Sequence, residues 1–124
     1  MRIRYVAASI ILSAITSILL AESVGAWHFD AVEDGCKCRP TLNIWRDNNG
    51  NLRGTLAFPG AKVPLQNIVT ADKGQEKIQF IVEQPENDQS IIYSYQATIE
   101  GDSMTGEYRQ KGSNDGVAFH AMRQ

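Results

Sequence analysis

IIYSYQATIEGDSMTGEYR, running from Ile91 to Arg109, decides the fold. Ile91, Tyr93, Tyr95, Ala97 and Ile99 fall on one face of an extended chain, and Ser94, Gln96, Thr98 and Glu100 on the other. Apolar residues repeating every second position predict a half-buried β-strand, not a helix. The polar tetrad Glu100-Gly101-Asp102-Ser103 interrupts it, and alternation resumes with Met104, Gly106 and Tyr108 inward. Two alternating runs around a short glycine-bearing turn make a β-hairpin.

The same grammar extends outward in both directions. Toward the C-terminus, Lys111 to Gly116 is a turn, and Val117, Phe119 and Ala121 share the inner face of a last strand. Toward the N-terminus, Ile78, Phe80 and Val82 alternate, with Pro85 to Gln89 expected as a polar loop. Val63, Leu65 and Ile68 around Pro64 predict a short, irregular strand at an edge or bulge. Leu52, Gly54, Leu56 and Phe58 share a face, and Asp47 to Asn51 is a turn whose Asn49-Gly50 suits positive φ at both central positions. Leu42 and Ile44 point inward, and Trp45 outward. Trp27 and Phe29 alternate with His28 and Asp30. About eight short strands at even spacing, with no helical period, predict an all-β, antiparallel up-and-down β-barrel. Asn51-Leu52-Arg53-Gly54-Thr55-Leu56 and Ser103-Met104-Thr105-Gly106-Glu107-Tyr108 echo one another, each with an inward glycine. Such a glycine allows close approach of a neighbour or clears room for a ligand.

Of the 124 residues, Met1 to Ala26 read as a signal peptide, leaving residues 27–124 as the barrel domain. Arg2 and Arg4 precede an apolar run from Val6 to Leu20, too short to span a bilayer, and small residues allow cleavage after Ala21 or Ala26. The chain is therefore expected to be exported, periplasmic or extracellular, with no membrane span after cleavage. The remaining domain holds ten basic and thirteen acidic residues. That mild acidity argues against nucleic acid, which needs a basic stripe. Both cysteines lie in Cys36-Lys37-Cys38, too close to staple distant segments. A free pair, a strained short bridge, and a disulfide-linked homodimer through Cys36 or Cys38 all stay open.

The segments Gly25-Ala26-Trp27, Gly50-Asn51-Leu52-Arg53-Gly54-Thr55-Leu56, Pro59-Gly60 with Val63-Pro64, Lys77-Ile78-Gln79-Phe80, Tyr95 through Gly106, and Phe119-His120-Ala121-Met122-Arg123 together resemble the small secreted lipocalin-like β-barrel domains of bacteria, most of which have no assigned function. The resemblance covers nearly all of the mature chain. It implies a calycin-type barrel whose first and last strands pair, and it favours cleavage after Ala21. Cys36-Lys37-Cys38 is not part of that pattern.

No Gly-x-Ser-x-Gly elbow, His-Glu-x-x-His helix or phosphate-cradling glycine loop occurs, so a non-enzymatic module without a cofactor is expected. The inner aromatics Trp27, Phe29, Phe58, Phe80, Tyr93, Tyr95 and Tyr108 are either core or the lining of a cup for a small apolar ligand. Trp45, beside the Asp47–Asn51 turn, is the candidate anchor for an exported protein partner. His28, Asp30 and His120, all outward, form with Cys36 and Cys38 a candidate metal site by ligand type. A secreted inhibitor of a protease or other hydrolase is the alternative function. Metalloprotease-inhibitor barrels also open with Gly-x-Trp, but need a distant second cysteine that this chain lacks.

Overall fold

The computed structural model describes residues 23–30, 39–72 and 75–124, and every regular element among them is a strand. They are β1 Gly25–Phe29, β2 Thr41–Arg46, β3 Leu52–Phe58, β4 Ala61–Asp72, β5 Glu76–Glu86, β6 Gln89–Glu100, β7 Ser103–Gln110 and β8 Val117–Arg123. Each strand pairs antiparallel with the next, and β8 returns to β1 through Trp27↔Arg123, His28↔Met122 and Phe29↔Ala121. The result is a closed eight-stranded barrel, which leaves no first or last strand open to a second chain. The expected leader lies almost wholly outside the described residues, as do Cys36 and Cys38.

The period of two predicts the inside well. Trp27, Leu42, Leu56, Ile78, Val82, Met104 and Ala121 are fully buried, and Ile44, Phe80, Tyr95, Ile99 and Phe119 nearly so. The tightest point is Gly106. A Cβ built there would lie 2.0 Å from the Gln96 carbonyl oxygen and 2.7 Å from Ala97 Cα. At its echo Gly54, a Cβ would meet Leu65 Cδ1 at 2.6 Å and the Asn43 carbonyl oxygen at 2.7 Å. Both glycines therefore serve close packing, and neither leaves a gap for a ligand.

Three local details differ from the alternation pattern. β4 runs twelve residues rather than a short stretch, because a bulge between Gln66 and Val69 resets its register against β5. Asn67 takes φ 53° at that point, a conformation asparagine tolerates better than most residues. The expected loop at Pro85–Gln89 is instead a hairpin in which Asn87 and Asp88 alone turn the chain, at φ 50° and 67°. Pro85 is accommodated because β4 leaves β5 after Leu65↔Val82, so no ladder bond is demanded on that side. At the Asp47–Asn51 turn, only Gly50 has positive φ, at 81°. Asp47 organises this turn: its Oδ1 accepts from the amides of Asn49 and Asn51, and its Oδ2 from Arg53 Nε at 3.0 Å.

One end of the barrel is plugged. The Trp27 indole N–H donates to the Ser23 carbonyl at 3.1 Å, and the Arg123 guanidinium lies 4.3 Å from the indole ring centroid. Arg123 also donates to the carbonyls of Val24 and Gly101 and to Asp102 Oδ1. This places a cation over an aromatic face while satisfying its N–H groups.

Candidate functional site

The interior is a continuous run of rings. Phe80 stacks on Tyr95 and Tyr95 on Tyr108, each with centroids 5.0 Å apart. Phe29 stacks on Phe119 at 4.7 Å, and the Tyr95 ring meets Phe119 at 5.9 Å in a T-shaped contact. Rings in such contact are core, since each fills the space a ligand would need. Burial holds the Tyr95 phenol well above its ordinary pKa, with Tyr108 and Tyr93 adding to the shift.

Of the seven aromatics expected inside, Phe58, Tyr93 and Tyr108 are only partly buried. They sit at the end opposite Trp27, where β3 passes into β4, β5 into β6 and β7 into β8. Tyr93 and Tyr108 meet edge to face with centroids 6.0 Å apart. The Tyr93 hydroxyl donates to Glu86 Oε2 at 3.2 Å, and partial burial followed by that carboxylate raises its pKa. The barrel thus has an aromatic mouth with one polar edge above a filled interior.

The outer wall carries two further features. Trp45 is 43% exposed, as its outward register predicts, and it neighbours the Asp47-centred turn. A groove of about 570 Å3 crosses the wall over β4 to β7, lined by Gln79, Gln96, Glu107 and Arg109 among others. Glu107 and Arg109 form an ion pair within it. This groove is open, with Val69, Phe80, Ile81 and Tyr95 among its lining residues, and it contains neither the mouth aromatics nor the histidines.

The described residues do not support the metal reading, and Cys36 and Cys38 lie outside them. Among the described residues, no group of three or more His, Cys, Asp and Glu side chains comes together. His28 Nδ1 lies 3.2 Å from Thr41 Oγ1 rather than turning toward His120. His120 and Asp30 do meet, with Nδ1 2.6 Å from Oδ2. The other His120 nitrogen, Nε2, is 2.9 Å from Ser103 Oγ. Ser103 is absent from the candidate set because the three residues lie on separate stretches of chain: pairing of β7 with β8 brings Ser103 to His120, and closure of β1 onto β8 brings Asp30. The available sequence signal is the alternation, which turns Ser103, His120 and Asp30 outward on neighbouring strands.

No protein-family model, curated protein or solved structure matches the chain.

Proposed function

We propose that the chain is an exported, lipocalin-like binding module that holds a small apolar or aromatic molecule at the barrel mouth, on Phe58, Tyr93 and Tyr108. The observation that carries this reading is the partly buried Tyr93–Tyr108 pair resting on an otherwise buried aromatic column. Tyrosine rings supply rigid apolar area and a hydroxyl that can orient a ligand. The ordered interior means a ligand lies across the mouth rather than deep inside. The apolar leader supports export, and the closing β1–β8 pair supports the lipocalin-like reading.

Titration with anilinonaphthalene sulfonate and with a medium-chain fatty acid tests the proposal, alongside native mass spectrometry of protein purified without detergent. Saturable one-site binding is expected, weakened about tenfold by Tyr108→Ala, equivalent to roughly 1.4 kcal/mol. Binding unchanged in Tyr93→Ala and Tyr108→Ala, or no saturable binding of either probe, refutes it.

A second reading, an exported protein partner, is favoured by Trp45, a large aromatic left 43% exposed on the wall. Radical footprinting in a native extract shows Trp45 protected relative to the purified protein if this reading holds. Equal modification in both samples excludes it.

A further inference from the structure

We propose that Ser103, His120 and Asp30 form an acyl-transfer site on the outer wall of the barrel, acting on small activated esters. The geometry is a directed chain of two hydrogen bonds. Asp30 Oδ2 is 2.6 Å from His120 Nδ1, and an ionised carboxylate can only accept, so the imidazole proton sits on Nδ1. In the neutral imidazole Nε2 is then the acceptor, and the Ser103 hydroxyl, 2.9 Å away, can donate to it. A hydroxyl donating to a neutral imidazole, whose far nitrogen is held by a carboxylate, is the arrangement that activates serine.

The barrel supplies the rigidity. The Asp30 amide donates to the His120 carbonyl at 2.9 Å, fixing Asp30, just past the end of β1, beside His120 on β8. Ser103 opens β7 opposite Met122, and the next outward residue, Thr105, is directly opposite His120. Strands β7 and β8 and the residue that follows β1 therefore present the three groups on one face. The His120 side chain is 39% exposed, so an ester can reach Nε2 and Oγ from solvent. The three groups lie on the open outer wall rather than inside the barrel, which suits small esters with good leaving groups.

Ser103 Oγ attacks the ester carbonyl carbon and passes its proton to His120 Nε2. The bond to the leaving alcohol breaks, and Nε2–H protonates that oxygen, leaving an acyl ester on Ser103. Water attacks the ester with Nε2 accepting its proton, and Nε2 returns the proton to Ser103 as the carboxylic acid departs. Ester and water become acid and alcohol. The inner amides of β7 are committed to ladders with β6 and β8, so they are not free to act as oxyanion donors. Missing donors of that kind cost roughly 10²–10³-fold in rate. Slow turnover follows. Asp30 acts as a positioning residue through His120.

The test is covalent labelling of the purified chain with a fluorophosphonate, followed by intact mass and peptide mapping, with p-nitrophenyl acetate hydrolysis in parallel. One adduct on Ser103 is expected. Ser103→Ala abolishes it, and His120→Gln slows it by roughly 10²-fold. Asp30→Asn flips the imidazole tautomer and slows labelling at least about tenfold, while Asp30→Glu recovers part of the rate. Circular dichroism and melting separate these losses from unfolding, since all three side chains lie on the surface. No adduct on Ser103 overturns the proposal, as does labelling at one rate in wild type, His120→Gln and Asp30→Asn. Neither result depends on the mouth aromatics, so this site and the binding reading fail independently.

Discussion

Gly106→Ala is the sharpest perturbation of the barrel. Real Cβ atoms essentially never approach another heavy atom closer than 3.0 Å, yet a methyl at Gly106 would sit 2.0 Å from the Gln96 carbonyl oxygen. Two of the opposing atoms belong to the β6 main chain, which cannot rotate away as a side-chain tip could. Relief requires β6 and β7 to part by about 1 Å at the Ala97↔Gly106 pair, between the Tyr95↔Tyr108 and Ile99↔Met104 pairs that hold the core. Overpacking of this kind costs about 1–3 kcal/mol, and main-chain obstruction places it at the upper end. The loss of unfolded-state entropy on replacing glycine returns only about 0.4–1 kcal/mol. A net loss of about 2 kcal/mol is expected, lowering Tm by roughly 8–16 °C in a domain of this size. Gly116→Ala is the matched control, because its Cβ would meet only the movable Glu107 carboxylate, at 2.9–3.0 Å. That variant should stay within about 0.5 kcal/mol of wild type. Chemical and thermal unfolding followed by circular dichroism read both. Equal stability of the two variants would refute the close β6–β7 contact.

Trp27→Ala removes a fully buried ring that plugs one end of the barrel and seats Arg123, and should cost about 3–5 kcal/mol by denaturant unfolding. Burial raises the folded pKa of Tyr95 above the ordinary 10.0, so its stabilisation is complete below pH 10 and is lost as pH rises above it. A spectrophotometric phenolate titration should show one tyrosine ionising only as the barrel unfolds, and Tyr95→Phe should remove that step. Arg53 and the Asn51 amide lower the pKa of Asp47, so its contribution is present above the ordinary 3.8 and is lost as pH falls below it. The melting difference between wild type and Asp47→Asn should therefore shrink on acidification from pH 6 to pH 2.

What the residues reveal in advance depends on how local their interactions are. The inward set from Trp27 to Ala121 is legible because each strand carries its own period of two. The twelve-residue β4 is not, since the Asn67 bulge shifts the pattern by an amount that only pairing with β5 defines. The Asn87–Asp88 hairpin is masked by Pro85, which signals a break unless one knows that its outer side lacks a partner strand. At Asp47 the carboxylate, rather than the Asn49-Gly50 dipeptide, shapes the turn through its hydrogen bonds to Asn49, Asn51 and Arg53. For the candidate sites, alternation locates the aromatics but not which of them reach the surface, because that depends on where each strand ends around the barrel. The contact between Asp30 and His120 spans ninety positions and exists only once the ring closes.

Ring closure is accordingly the claim on which the mouth, the plug and the outer-wall serine all rest. Cross-strand nuclear Overhauser effects between β1 and β8 measure it directly. A closed ring gives contacts for Trp27–Arg123 and Phe29–Ala121, with slow amide exchange at Asp30 and Gln124, whose N–H groups donate to the carbonyls of His120 and Ala26. Intact contacts from β2 through β7 with none between β1 and β8 would contradict it, leaving an open sheet.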